Sequence, residues 1–318
     1  MNLFIIGNGF DIAHGLKTRY TDFAEYLKIN DINLYNKICV IYKDLSDEDR
    51  LWKNFEKTME FIDEDFIRMD TDFNLEYMDE YDDELKSMVE IQIQNNLIET
   101  AESLFNYFRS WASSIQTKGI KELTSKIKGF DEDEDNEDLF LTFNYNFLLE
   151  ESYNVDNSQI CHIHNSIDDE LILGHGNKLK LEEFENESDY LNKKRYDENG
   201  EENYETIEEL EERLSCEENL KYYEITYKDT ESIIASHKEF FKGLTKIKNI
   251  YVIGHSLGDV DLPYFKEILR NISSETKWFI YYFSDNEKRL FQDIAEKLNI
   301  KLENLTILHS STFFDLIS

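Results

Sequence analysis

Residues 1–11 read MNLFIIGNGFD, and this stretch decides the fold. Asn2 to Ile6 is a near-continuous apolar run, the pattern of a strand covered on both faces. Gly7-Asn8-Gly9-Phe10-Asp11 forms a glycine-rich turn, and Ile12 onward reads as helix. A strand delivering such a turn to a helix N-terminus is how doubly wound folds cradle a phosphate. The glycines let the backbone approach the anion, and unpaired N–H groups point at it. A small-ligand site at this turn is the first expectation.

Six more runs have strand character: 139–143, 159–163, 171–173, 250–253, 279–283 and 305–308. Helical patterns lie between them. Leu97, Ala101, Leu104, Phe105, Phe108, Trp111 and Ile115 recur at helical spacing. Pro263 sits in the first turn of a second helix after Asp261, with Phe265, Ile268, Leu269 and Ile272 as its apolar face. Ser284 and Glu287 have capping-box spacing at the start of a third. Strand–helix alternation predicts a Rossmann-like α/β fold with a mainly parallel sheet. Residues 44–128 read as a helical insertion and 178–222 as an acidic one, an exposed helix or a partly mobile segment, both within one α/β domain spanning 1–318. The run DEDEDNED at 131–138 reads as a solvent-exposed loop.

The chain carries 68 acidic against 34 basic residues, a formal charge of −34. A field of that sign repels nucleic acid and anionic membrane alike, so direct binding to either is not expected. Cys39, Cys161 and Cys216 lie far apart, so neither a zinc ribbon nor a disulfide framework is expected, and no metal. With no signal-peptide pattern and no membrane-length apolar run, the expected compartment is the cytoplasm.

Four segments place polar residues where open α/β sheets bind ligands, after the carboxyl ends of strands. In the first, Asp11 suits a helix N-cap as well as a ligand contact, and His14 reads as structural. In the second, LTFNYN, Asn144 ends a buried strand and suits either an Asx turn or a water or sugar hydroxyl. In the third, HIHN, alternation puts His162 and His164 on one face unless the strand has already ended. Either imidazole suits a general base. His175, in GHG after the next strand, is a further candidate for that pocket. The fourth, IGHSLGDVD, matches the GxSxG nucleophile elbow, with Asp285 and His309 following in Ser…Asp…His order. The helix begins too late after Ser256 for such an elbow. A nucleotide-seating loop is the other reading, with Ser256 on phosphate or ribose and Asp261 as a helix cap.

Together and in this order, NLFIIGNGFDIAHGLKTRYTDF, LTFNYNFLLE, HIHNS, LILGHG and IGHSLGDVDLPYF resemble the AbiH family of bacteriophage abortive-infection proteins. More distantly, the same segments are similar to sirtuin-like NAD-consuming domains of bacterial defence systems. That similarity implies NAD, as substrate, at Gly7, Asn8, Gly9, Phe10 and Asp11. It implies Gly254, Ser256, Asp259 and Ser284 on the nucleotide as well. Asn144 would hold the water or the nicotinamide ribose, and His164 would be the base. Asn165 stands where such domains have glycine after the histidine, which leaves His162, His164 and His175 open for that role. The four-cysteine zinc module of deacetylating sirtuins is absent, which points to NAD hydrolysis rather than deacetylation. The resemblance further implies an antiphage effector gated by self-assembly or by a partner protein of the defence system. A serine hydrolase using Ser256, Asp285 and His309, or a non-catalytic nucleotide sensor, are the other readings.

Overall fold

The computed structural model describes residues 1–42, 48–62, 97–117 and 137–315. The chain divides into two compact units. The first, residues 1–22, 109–172 and 229–318, holds a six-stranded sheet. Its strands are β1 (Asn2–Ile6), β2 (Leu139–Thr142), β3 (Ile160–His162), β4 (Asn249–Ile253), β5 (Lys277–Tyr282) and β6 (Leu305–His309). All pairs are parallel, and the order is β3-β2-β1-β4-β5-β6. That is the Rossmann-like order: the chain winds outward from β1 in one direction and from β4 in the other.

The apolar run of β1 is continuous because both faces of the sheet are covered. Leu3 and Ile5 join one core with Val252, Ile280 and residues of the helices Leu262–Asn271 and Asp285–Lys297, among them Phe265 and Phe291. Phe4 and Ile6 face the opposite core, with Phe10, Leu149 and Tyr153. On that second face Phe140, Phe4, Tyr251 and Phe279 stack ring on ring across four strands, with centroids 5.0–5.1 Å apart. The row ties β2, β1, β4 and β5 together as cross-strand pairs. Ile6 is level with both Thr142 and Ile253, and Thr142 with His162. The carboxyl ends of β1, β2, β3 and β4 therefore end on one edge of the sheet.

Six of the seven expected strands form. The run 171–173 is an irregular link: Ile172 donates its N–H to His164 and its carbonyl accepts from Tyr145 Oη. Gly174 follows with φ +156°. Most of the acidic run 131–138 lies outside the described residues. Asp138 itself does not project into solvent, because it accepts from the Asn2 backbone at 2.6 Å and from the Asn2 amide at 3.1 Å.

The second unit, residues 23–108 and 173–228, is helical. Of the stretch 44–128, the helix Leu97–Ser114 forms as expected, while residues 43–47, 63–96 and 118–136 lie outside the described ones. The acidic stretch 178–222 is a largely exposed helix only in its first part, where Phe184, Ser188 and Leu191 alone are buried. It folds into helices Lys178–Lys194 and Ile207–Thr226, and the second buries Leu210, Leu214, Tyr222 and Tyr223. Thr206 and Glu209 start that helix with a reciprocal capping box. Among the described residues no helix is long and apolar enough to cross a membrane.

Candidate functional site

The site is built where the sheet reverses, between β1 and β4. Gly7, Gly9 and Gly254 bring the two loops into backbone contact. A Cβ on Gly254 would lie 2.3 Å from Phe10 N, and one on Gly7 2.6 Å from His255 Cα. Gly254 also has φ +65°, a conformation that favours glycine. The contact is sealed by Gly7 N–H donating to Ile253 O at 2.9 Å and Gly9 N–H to Gly254 O at 2.8 Å. Phe10 N–H donates to Gly7 O. These three amides, expected from the sequence to face an anion, are engaged inside the protein. The Phe10 ring is core, against His14 and Tyr153, and Asn8 Nδ2 holds the Thr18 carbonyl. The glycines serve first to pack one loop on the other.

Asp11 is not the helix cap. It lies inside the helix Asn8–Ala13 and is only 2 % exposed. Its carboxylate accepts from Asn144 Nδ2 at 2.8 Å and from Asn146 Nδ2 at 2.5 Å. Burial pushes its pKa up to about 7, against the opposing pull of the two amides. Asn144 Nδ2 also reaches the Gly7 carbonyl at 3.2 Å. Two acceptors on one side fix the orientation of the Asn144 amide, so Oδ1 points away from them. Asn146 turns its own Oδ1 to Leu148 N–H, at the start of the helix Leu148–Tyr153.

The two histidines of HIHN part company. β3 ends at His162, and Asn165 turns the chain with φ +63°. Both nitrogens of His162 face acceptors: Asn144 O at 3.2 Å and Glu150 Oε1 at 2.8 Å. His164, 3 % exposed, points instead to Asp261, with Nε2 3.5 Å from Oδ1. The other oxygen of Asp261 lies 3.4 Å from His255 Nε2. The Phe143 ring meets both imidazoles edge-on, 5.1 Å from His164 and 4.1 Å from His255.

His14 is structural: Nδ1 donates to Phe10 O and Nε2 accepts from Tyr153 Oη, and burial lowers its pKa. His175 belongs to the helical unit, fully buried beside Tyr223, and burial pushes its pKa down to about 4. Ser284 uses its hydroxyl to cap the helix Asp285–Lys297 within the expected capping box. Ser256 and Asp259 are exposed on the β4 loop.

The geometry of a nucleophile elbow is missing. Its strained, positive-φ residue is the serine, whereas here Leu257 has φ +55° and Ser256 does not. His309 Nδ1 is held by Ser311, and Asp285 is exposed at its helix start.

Gly7, Asn144, His164 and Gly254 are thus brought together on one sheet edge, with Ser256 on the rim. Sequence reasoning missed Asn146, His255, Glu150 and the role of Asp261. The repeat of asparagine at 144 and 146 was a legible signal for one of these. The others needed the fold.

A parallel sheet wound both ways, with buried carboxylate, amide and imidazole groups at its reversal point, defines a Rossmann-like α/β protein. The family model for bacteriophage abortive infection AbiH matches residues 3–282, and the chain belongs to the AbiH family. Searches of curated proteins and of solved structures give no match.

Proposed function

We propose that the chain is an abortive-infection effector that hydrolyses NAD to nicotinamide and ADP-ribose. The observation that carries this reading is the oriented Asn144 amide. Its nitrogen is held by Asp11 and Gly7 O, so Oδ1 is an acceptor for a ribose hydroxyl or an attacking water. His164 stands on the neighbouring loop as the base. Exposed Ser256 and Asp259 on the β4 loop are the groups for the phosphate and ribose of the other half of the dinucleotide.

Hydrolysis breaks the bond between ribose C1′ and the pyridinium nitrogen. Nicotinamide leaves neutral with the bonding pair, so no acid is needed. Water forms the new C–O bond to an oxocarbenium-like C1′, and its proton passes through His164 to solvent. The near-complete burial of His164 fits an enzyme held silent until infection, with assembly or a partner protein as the gate. The test is nicotinamide release from NAD by purified protein, together with cellular NAD during phage challenge. Wild type is expected to deplete NAD, and Asn144→Ala and His164→Ala to leave it intact. Unchanged NAD in infected cells that the wild-type protein defends refutes the proposal. Calorimetric NAD binding without turnover in every assembly state would assign a sensor instead.

A further inference from the structure

Asp261 stands at the N-cap of the helix Leu262–Asn271. An aspartate there ordinarily accepts from the free N–H groups of the first turn. Here the side chain makes no capping hydrogen bond. Each carboxylate oxygen faces a different imidazole instead, Oδ1 toward His164 Nε2 at 3.5 Å and Oδ2 toward His255 Nε2 at 3.4 Å. A stabilising contact is given up for a bridge between two side chains from separate loops.

The tautomer of His255 can be read from its surroundings. Leu257 N–H donates to His255 Nδ1 at 2.9 Å, so Nδ1 holds the lone pair and the neutral ring carries its hydrogen on Nε2, facing Asp261. The left-handed turn at Leu257, φ +55°, bends the loop back to make that bond. His255 therefore presents its Nε2–H toward one oxygen of Asp261, while the other oxygen faces His164. The rings of Phe143 and Tyr264, centred 5.1 and 5.7 Å from that of His164, line its surroundings.

We propose that Asp261, which also faces His255, is the positioning residue for the base His164. It holds the His164 hydrogen on Nε2, which puts the lone pair on Nδ1 for the proton of the ribose hydroxyl or water. His164 becomes an imidazolium when it takes that proton, Asp261 remains a carboxylate throughout, and the proton then leaves to solvent. A carboxylate in this relation selects the tautomer and stabilises the imidazolium, as in hydrolase triads. The substrate in this inference rests on the NAD-cleaving reading, but the tautomer does not.

The test uses full-length protein with 15N-labelled histidine and long-range proton–nitrogen correlation. In wild type, the neutral form of His164 is expected to carry its hydrogen on Nε2. Asp261→Asn is expected to shift it toward Nδ1 and to lower kcat for nicotinamide release about 100-fold with little change in KM. Asp261→Glu should recover part of the loss. A wild-type His164 protonated on Nδ1 overturns the inference, and so does an Asp261→Asn variant with unchanged tautomer and kcat. The wild-type spectrum needs no variant to fold. A wild type that releases no nicotinamide in any state removes the NAD reading, while the tautomer still decides the role of Asp261.

Discussion

Asp11 makes the stability of this protein depend on pH in a direction opposite to that of most acids. Its pKa rises from 3.8 in the unfolded chain to about 7 in the fold, because burial outweighs two amide hydrogen bonds. Between those values the folded state holds a proton that the unfolded state has released. The stabilisation is therefore complete below about pH 4 and is lost as pH rises through about 7. Integrated over this one group, the loss from pH 5 to pH 8 is about 2.5 kcal/mol. The chain has 68 acidic residues, so the measurement must isolate one. Urea unfolding of wild type and Asp11→Asn at both pH values does so, since the variant keeps every other titration. Wild type should lose about 2.5 kcal/mol more than the variant over that interval. Equal losses refute a buried, proton-holding Asp11. Direct carbon NMR titration of the Asp11 carboxyl in wild type serves if the variant does not fold.

Gly254→Ala should cost about 3 kcal/mol or more, because its Cβ meets Phe10 N at 2.3 Å on a positive-φ backbone. Gly15→Ala, with φ +77° and open space around it, should cost about 1 kcal/mol, and the two melting temperatures give the comparison. Ser284→Ala should lower stability by about 1 kcal/mol through loss of the cap and leave nicotinamide release unchanged. A collapse of release in that variant would place Ser284 on the ligand. Buried Glu218 accepts from the N–H groups of Leu97 and Ile98 at the start of a helix. Glu218→Ala should cost about 2 kcal/mol in thermal unfolding, and Glu218→Gln should recover part of it.

Local chemistry made much of the fold legible. A strand with both faces buried writes itself as an unbroken apolar run, and β1, β4 and β5 were readable for that reason. The capping box at Ser284 and Glu287 and the spacing from Leu97 to Trp111 are equally local. Within 178–222 the exposed first helix was legible from its charge, whereas in the second helix acids on the outer face masked Leu214, Tyr222 and Tyr223 on the inner one.

The sequence by itself determined the class of fold, the edge of the sheet to inspect, and Asn144 and His164 as groups to watch there. Only the tertiary structure decided their partners. Asp11 and Asn144 lie 133 residues apart in the chain, and no local pattern records that an amide will meet that carboxylate. Asp261 carries every mark of a helix cap until the loops after β3 and β4 bring two imidazoles to its oxygens. Hydrogen bonds and ion pairs act over about 3 Å, so they are set by which loops the strand order makes neighbours, and that order is a property of the whole sheet.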